Sequence, residues 1–276
     1  MGGALPGRVN EILSYGAAES ARVDAISQTP EVYAQRRRMI SLLAPAAGER
    51  ILDVGCGPGD LAREIASTSQ ARVWATDISQ QMLAIASEKS TTVELSHANV
   101  LCLPFAGSFF DAITATQTLE FVADLSGALA ELHRVLAPGG RLLILDTDWD
   151  SVVWHSTDPQ RMQHVLDGWR SLLADPRLPR ILSVALRDTG FEIRRREVFT
   201  IFDPLGEDRS YSSHQIDHMA AAVERSGHPA SAEVSSWTKE LRQLALRSEY
   251  FFSLNRYIFL AVKADVGASA QPAATV

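Results

Sequence analysis

The sequence predicts an α/β fold: a doubly wound, mostly parallel sheet of seven strands. Three observations carry that prediction. From Ile51 onward, short apolar runs alternate with segments of helical period, the pattern of a parallel sheet covered on both faces. One of those runs, Arg50 to Val54, passes directly into the glycine-rich turn Gly55-Cys56-Gly57-Pro58-Gly59. Late in the chain two long β-patterned runs, Phe191 to Phe202 and Tyr250 to Val262, flank a polar helix-patterned stretch from Tyr211 to Arg247. That arrangement predicts a hairpin-like edge carrying a helical insertion.

Taken in order, residues 1–47 read as N-terminal lid helices, because Val9 to Leu43 has the pattern of one or two helices placed where a cleft beside the sheet could be covered. The main domain then spans 48–263, with the insertion at 204–249. Strands are expected at Arg50 to Val54, Arg72 to Thr76, Thr92 to Ser96, Asp111 to Ala115 and Arg141 to Leu145. Apolar stripes at helical spacing lie between them: Leu61, Ala62, Ile65 and Ala66, then Met82, Leu83 and Ala86, then Leu125, Leu129, Leu132, Val135 and Leu136. Ala137-Pro138-Gly139-Gly140 ends the last of these helices, since proline cannot continue a helix and glycine accepts a positive φ. Residues 264–276, rich in Ala, Gly, Ser and Pro without periodicity, read as a disordered tail.

With 276 residues, 46% of them apolar, the chain can bury one sizeable core. A net charge of -7 lacks the basic surplus that a phosphate backbone demands, so a nucleic-acid partner is disfavoured. The dense basic runs, Arg36-Arg37-Arg38 and Arg194-Arg195-Arg196, read as solvated faces. Cys56 and Cys102 have neither the spacing of a disulfide framework nor that of a zinc site, and no metal is expected. No run approaches the roughly 20 apolar residues that span a bilayer, and Met1 to Arg8 is no signal sequence, so a cytoplasmic protein without membrane contact is expected.

The junction from Ile51 to Asp60 is where a ligand can meet backbone N–H groups, because missing Cβ atoms allow close approach. Asp77 closes the next strand, where an acid can accept hydrogen bonds from both hydroxyls of a ribose. A dinucleotide fingerprint would read GxGxxG, with the pyrophosphate on the helix start. Here the loop is GxGxG and follows Asp53, which would repel a pyrophosphate. The same acid suits a ligand bearing an ammonium and a sulfonium, and S-adenosylmethionine has both.

Further motifs follow in order: LDVGCGPG from Leu52, TDIS from Thr76 with Met82 beyond it, LPF at Leu103 to Phe105, FDAI at Phe110 to Ile113, TLEFV at Thr118 to Val122, and ELHRVLAPGGRL from Glu131 to Leu142. With these motifs the chain resembles class I S-adenosylmethionine-dependent methyltransferases, in particular the small-molecule group related to ubiquinone and menaquinone biosynthesis enzymes. The resemblance implies their Rossmann-like fold and S-adenosyl-L-methionine as cofactor. It implies that Gly55, Gly57 and Gly59 line the methionine part with Asp53 near its amino group, and that Asp77 holds the ribose. Ile78 and Met82 would flank adenine, Asn99 and Val100 would meet its edge, and Gln117 joins the same cofactor set. The chain departs from the family at Ala98-Asn99-Val100, where Gly-Asp-Ala is frequent, and at Phe121, where many relatives have histidine.

The acceptor side is expected around Leu145-Asp146-Thr147-Asp148-Trp149-Asp150, which leaves the fifth strand at its carboxyl end. Its acids either face the acceptor or cap the following turn. Asp148, His155 and His214 are the catalytic candidates, with His218 considered beside them; His214 and His218 lie four apart on one helical face but lack a third metal ligand. On the lid, Tyr33 could cover a sulfonium and Arg37 could pair with the cofactor carboxylate, unless both belong to an ordinary amphipathic helix. The expected function is methyl transfer to an O, N or C atom of a small, partly apolar metabolite by a monomer or homodimer. Two alternatives stand beside it: a binding protein that holds the cofactor without turnover, and a nicotinamide-dependent oxidoreductase.

Overall fold

A computed structural model describes residues 16–264. The expected tail from 265 on, and the first 15 residues of the expected lid, lie outside the described residues. The strands are β1 (Arg50–Val54), β2 (Arg72–Asp77), β3 (Glu94–His97), β4 (Phe110–Thr116), β5 (Leu136–Thr147), β6 (Val153–Trp154), β7 (Phe191–Asp203) and β8 (Phe252–Lys263). They form one sheet in the order β3-β2-β1-β4-β5-β8-β6, with β7 paired to β8. Strands β1 to β5 run parallel, and β8 runs antiparallel to both β5 and β7. The long β7 and β8 form the expected edge, and the expected insertion lies between them.

The central strands lack polar alternation because helices cover both faces, and residue parity decides which helices each side chain meets. Ile51, Val73 and Leu143 pack with Met39 and Leu43 of α2 (Pro30–Leu43) and with Leu61 and Ile65 of α3 (Asp60–Ser69). Leu52, Ile113 and Ile144 face the other way. They meet Leu129 and Leu132 of α5 (Leu125–Val135) and Leu182 and Leu186 of α7 (Pro179–Asp188). Between these pairs of helices in the chain order come α4 (Gln80–Lys89) and α6 (Pro159–Arg170).

A third apolar cluster lies beyond the carboxyl ends of the parallel strands. It joins Trp154, Trp169 of α6, Met219 of α8 (Tyr211–Ser226), Trp237 of α9 (Val234–Leu246) and Phe252. Because β8 is antiparallel, its first residues stand at the end of β5, with Arg256 opposite Thr147. The helical insertion is thereby held over that end of the sheet. The first helices, α1 (Ala17–Ser27) and α2, close another side.

Several boundaries differ from the sequence prediction. Among the described residues the sheet has eight strands, because Val153 and Trp154 pair with Ser253 and Phe252. Strand β3 covers Glu94–His97, and β5 begins at Leu136. The Ala137-to-Gly140 segment is therefore inside a strand, next to a register shift that lets Leu136 pair with Phe110. Helices α6 and α7 were not expected. In α6, Met162, Val165, Leu166 and Trp169 are buried at helical spacing after a start fixed by Pro159 and by the Asp158 carboxylate, which accepts the N–H of Arg161 at 3.0 Å.

Candidate active site

The carboxyl ends of β1, β2 and β4 open onto one cavity of about 490 Å³. Asp53, buried in β1, stands in register with Thr114 of β4, whose hydroxyl donates to its Oδ1 at 2.7 Å. Burial, reinforced by the charge of Asp77, pushes the Asp53 carboxyl up to about 7 despite that bond. An acid so placed gains from a cation brought beside it.

The turn that follows is locked by backbone geometry. Gly55, Gly57 and Gly59 all have positive φ, at 65°, 52° and 77°. The three serve different ends. A Cβ on Gly55 would fall 2.3 Å from Thr118 Oγ1, and one on Gly59 would fall 2.8 Å from the Cβ of Ala86. Gly57 has nothing within 4 Å of that position and lines the cavity. Gly59 does not line it; its place in the cofactor set is corrected to a packing role at the start of α3.

Asp77 ends β2 and fixes the same turn, its Oδ2 accepting the Gly57 N–H at 2.8 Å and its Oδ1 that of Ser79 at 2.8 Å. Burial raises its carboxyl above the ordinary value, although the bonds from Ser79 and Gly57 oppose the shift. Ile78, Met82, Asn99 and Val100 line the adjoining wall. Asn99 Oδ1 already accepts the Leu101 N–H at 2.9 Å, leaving one lone pair for a ligand donor. Gln117 also lines the cavity, in the left-handed region at φ 52°. Its Oε1 accepts from Thr147 at 2.7 Å, while its buried Nε2 has no partner among the described residues.

The lid residues are out of phase with expectation. In α2 the buried stripe is Val32, Gln35, Arg36, Met39 and Leu43, so Tyr33, 50% exposed, and Arg37 fall on the outer face. The apolar members of the stripe dictate that rotation. Gln35 and Arg36 line the cavity instead. Arg36 is no solvated charge: it pairs with Glu64 at 2.8 Å and donates to the Ser27 carbonyl at 2.5 Å.

The three catalytic candidates are not brought together, and none lines this cavity. Asp148 is buried and occupied, accepting from Arg180 at 2.8 and 3.0 Å and from the Asp150 N–H at 3.1 Å. His155 is exposed. His214 lines a separate hollow with Arg22, Asp217 and Glu224. His218, four residues on, does reach the cavity, where burial lowers its imidazole to about 4. Its Nδ1 has no partner among the described residues, and its ring meets that of Trp169 edge-on at 5.3 Å.

Sequence reasoning missed the polar groups opposite the glycine turn. Glu120 lines the cavity, and its Oε2 accepts from Trp149 Nε1 at 2.8 Å. Burial raises both Glu120 and the neighbouring Asp146, and the charge of Glu120 raises Asp146 further. Gln35, Tyr211, Gln215 and Arg256 complete this wall. The signal for Glu120 was its place just beyond β4; Arg256, about 200 residues after the turn, had no local signal.

With this geometry in view, the comparisons with known proteins are informative. A family model for methyltransferase domains matches residues 52–144. Over 116 residues the chain is 42% identical to the demethylmenaquinone methyltransferase of Thermus thermophilus, covering 40% of this chain and 53% of that protein. The chain carries a class I S-adenosylmethionine-dependent methyltransferase domain. This methyltransferase domain is also 39% identical, over 119 residues, to the ubiquinone/menaquinone biosynthesis C-methyltransferase of Francisella philomiragia, covering 40% of this chain and 48% of that one. The matched part thus spans about half the length of these curated relatives.

Solved structures extend the likeness in fold beyond the methyltransferase domain's matched core. The phosphoethanolamine N-methyltransferase 2 of Haemonchus contortus gives a TM-score of 0.60 at 22% identity, covering 93% of this chain and 59% of that one. The geranyl diphosphate C-methyltransferase of Streptomyces coelicolor gives 0.54 at 14% identity, covering 84% and 79%. S-adenosylmethionine is the methyl donor in the family of this methyltransferase domain. The residues present fit it: a carboxylate raised by burial for its ammonium, a paired acid at the end of β2 for its ribose, and space at Gly57 that a Cβ would fill. Among the described residues no helix is long and apolar enough to cross a membrane, and no group of three acids, histidines or cysteines is arranged for a metal.

Proposed function

We propose that the protein transfers a methyl group from S-adenosylmethionine to an O, N or C atom of a small, partly apolar metabolite. The observation that carries this reading is that Asp53, Asp77 and Gly57 share one cavity with Phe121, Trp149, Trp169 and Tyr211. S-adenosylmethionine supplies an electrophilic methyl carbon on a sulfonium. The chain's own contribution is placement. Asp53 holds the ammonium, Asp77 accepts from the ribose hydroxyls, Ile78 and Met82 flank adenine, and Asn99 and Val100 meet its edge.

The aromatic wall then confines the acceptor and excludes water, which matters because displacement at a bound methyl gains most from fixed attack geometry. Where the acceptor must lose a proton, Glu120 and His218, which line the cavity beside the aromatic residues, are the groups to receive it, in place of Asp148, His155 and His214. Calorimetric titration with S-adenosylmethionine, S-adenosylhomocysteine and NAD tests the cofactor, and product detection with phenols, amines and quinols tests the transfer. Tight binding of the first two with no NAD binding is expected. Binding without methylation of any acceptor would favour a protein that holds the cofactor without turnover, and preference for NAD would overturn both.

A further inference from the structure

We propose that Arg256 is the recognition group for a carboxylate on the acceptor, so that the substrate class is a small carboxylic acid with an apolar body; this rests on the methyl-transfer reading above. Arg256 is a buried cation, 4% exposed, and it lines the cavity opposite the glycine turn. A guanidinium stays charged in a protein and is costly to bury without a counter-charge. Its partners here are neutral. One terminal nitrogen donates to Gln35 Oε1, the other donates to the Tyr211 hydroxyl at 2.9 Å, and the Tyr211 ring lies 4.7 Å from the guanidinium carbon. Among the described residues the third donor nitrogen, Nε, is buried with no partner, and no carboxylate forms an ion pair with Arg256.

The neighbouring acid does not fill that role. Glu120 faces the same cavity and its carboxyl feels the Arg256 charge, but it makes no direct ion pair with the guanidinium, and its Oε2 accepts from Trp149 Nε1. Two further donors that line the same cavity, Gln215 Nε2 and Trp169 Nε1, are buried without a partner among the described residues. Buried donors left over beside a cation that no carboxylate among the described residues touches call for a ligand that brings acceptor oxygens and negative charge, and a carboxylate brings both in a planar fork that matches a guanidinium. Val23, Ile26, Val32 and Phe121 of the same cavity are apolar and suit a hydrocarbon body.

The test uses the complex with S-adenosylhomocysteine, titrated calorimetrically with benzoate, 4-hydroxybenzoate and cinnamate, each against its own amide. The acids are expected to bind at least tenfold more tightly than the amides of the same shape. In Arg256→Gln that preference is expected to vanish, and in Arg256→Lys to be only partly restored, while the affinity for S-adenosylhomocysteine stays within about twofold. Equal binding of acid and amide by the unaltered protein, no saturable binding of any acid, or a preference that survives in a folded Arg256→Gln would overturn the proposal. The acid-to-amide comparison needs no variant, so a misfolded substitution leaves it decisive. Failure of S-adenosylhomocysteine itself to bind would instead overturn the methyl-transfer reading.

Discussion

The Asp77 carboxylate accepts the Gly57 N–H at 2.8 Å, so the acid that ends β2 holds the turn that follows β1. Its second oxygen does the same for Ser79 at the start of α4. Asp77→Ala should therefore loosen the turn and remove the ribose acceptor together. Hydrogen bonds to a charged group contribute about 1.5 to 3 kcal/mol each, which corresponds to a loss of roughly tenfold or more per bond in affinity. Calorimetry with S-adenosylhomocysteine measures it. Asp77→Asn retains one oxygen acceptor and should lose less thermal stability; an unchanged affinity in a folded Asp77→Ala protein would remove Asp77 from the site.

The glycines of the turn separate folding from binding. At Gly55 an added methyl meets Thr118 at 2.3 Å, so Gly55→Ala should lower the melting temperature sharply. At Gly57 an added methyl has free space, and the folding cost is that of a positive φ, about 1 to 2 kcal/mol. Gly57→Ala should consequently fold and yet bind S-adenosylhomocysteine at least tenfold more weakly, and Gly57→Val should abolish binding. A Gly57→Ala protein with ordinary affinity would mean that the turn does not approach the ligand.

The cofactor half of the site is legible in the sequence because its determinants are local. Asp53, Gly55 and Gly57 lie within five residues, and Asp77 follows one strand–helix unit later, so periodicity and spacing suffice to bring them together. The acceptor half is assembled from α1, α2, the segment after β4, α8 and β8, and no short-range pattern relates Gln35, Glu120, Tyr211 and Arg256. The failures have the same source. Tyr33 and Arg37 have side chains suited to a sulfonium and a carboxylate, but the burial of Val32, Met39 and Leu43 turns them outward. Asp148 was chosen by its place beside β5, and Arg180 of a helix that was not expected claims it.

Asp53 should couple ligand binding to pH. Its carboxyl stands at about 7 in the ligand-free protein, raised by burial and by Asp77. An ammonium beside it favours the charged form, so binding S-adenosylhomocysteine near pH 6 should release up to about one proton. Affinity should rise as pH rises to about 7 and then level off. For folding the sign is opposite: a raised carboxyl contributes stability fully below its ordinary value of 3.8, lost as pH rises through about 7. Titration calorimetry in buffers of different ionisation enthalpy counts the protons. Heats at pH 6 that do not change with the ionisation enthalpy of the buffer would mean that no proton is released and would exclude Asp53 as the ammonium partner.

The last prediction concerns the helices over the cavity, for which Asp60 acts as the latch. Its carboxylate accepts from Ser27 Oγ at 2.8 Å, from Gln28 Nε2 at 3.0 Å and from Lys89 Nζ at 2.7 Å, and Lys89 also pairs with Asp24. Burial works to raise the Asp60 carboxyl, yet the bonds from Lys89 and Ser27 hold it below its ordinary value. Its contribution is therefore present at neutral pH and lost only as pH falls through that lowered value. Asp60→Ala leaves the corner between α1 and α2 without this anchor, while the Ile51, Leu61 and Ile65 packing beneath it is untouched. Amide exchange of Ala17–Ser27 should quicken in that variant, exchange in β1 and β4 should not, and S-adenosylhomocysteine should slow the helix in the unaltered protein. If exchange over Ala17–Ser27 is equally slow in both proteins and insensitive to the ligand, these helices are a fixed wall and admission to the cavity does not depend on their opening.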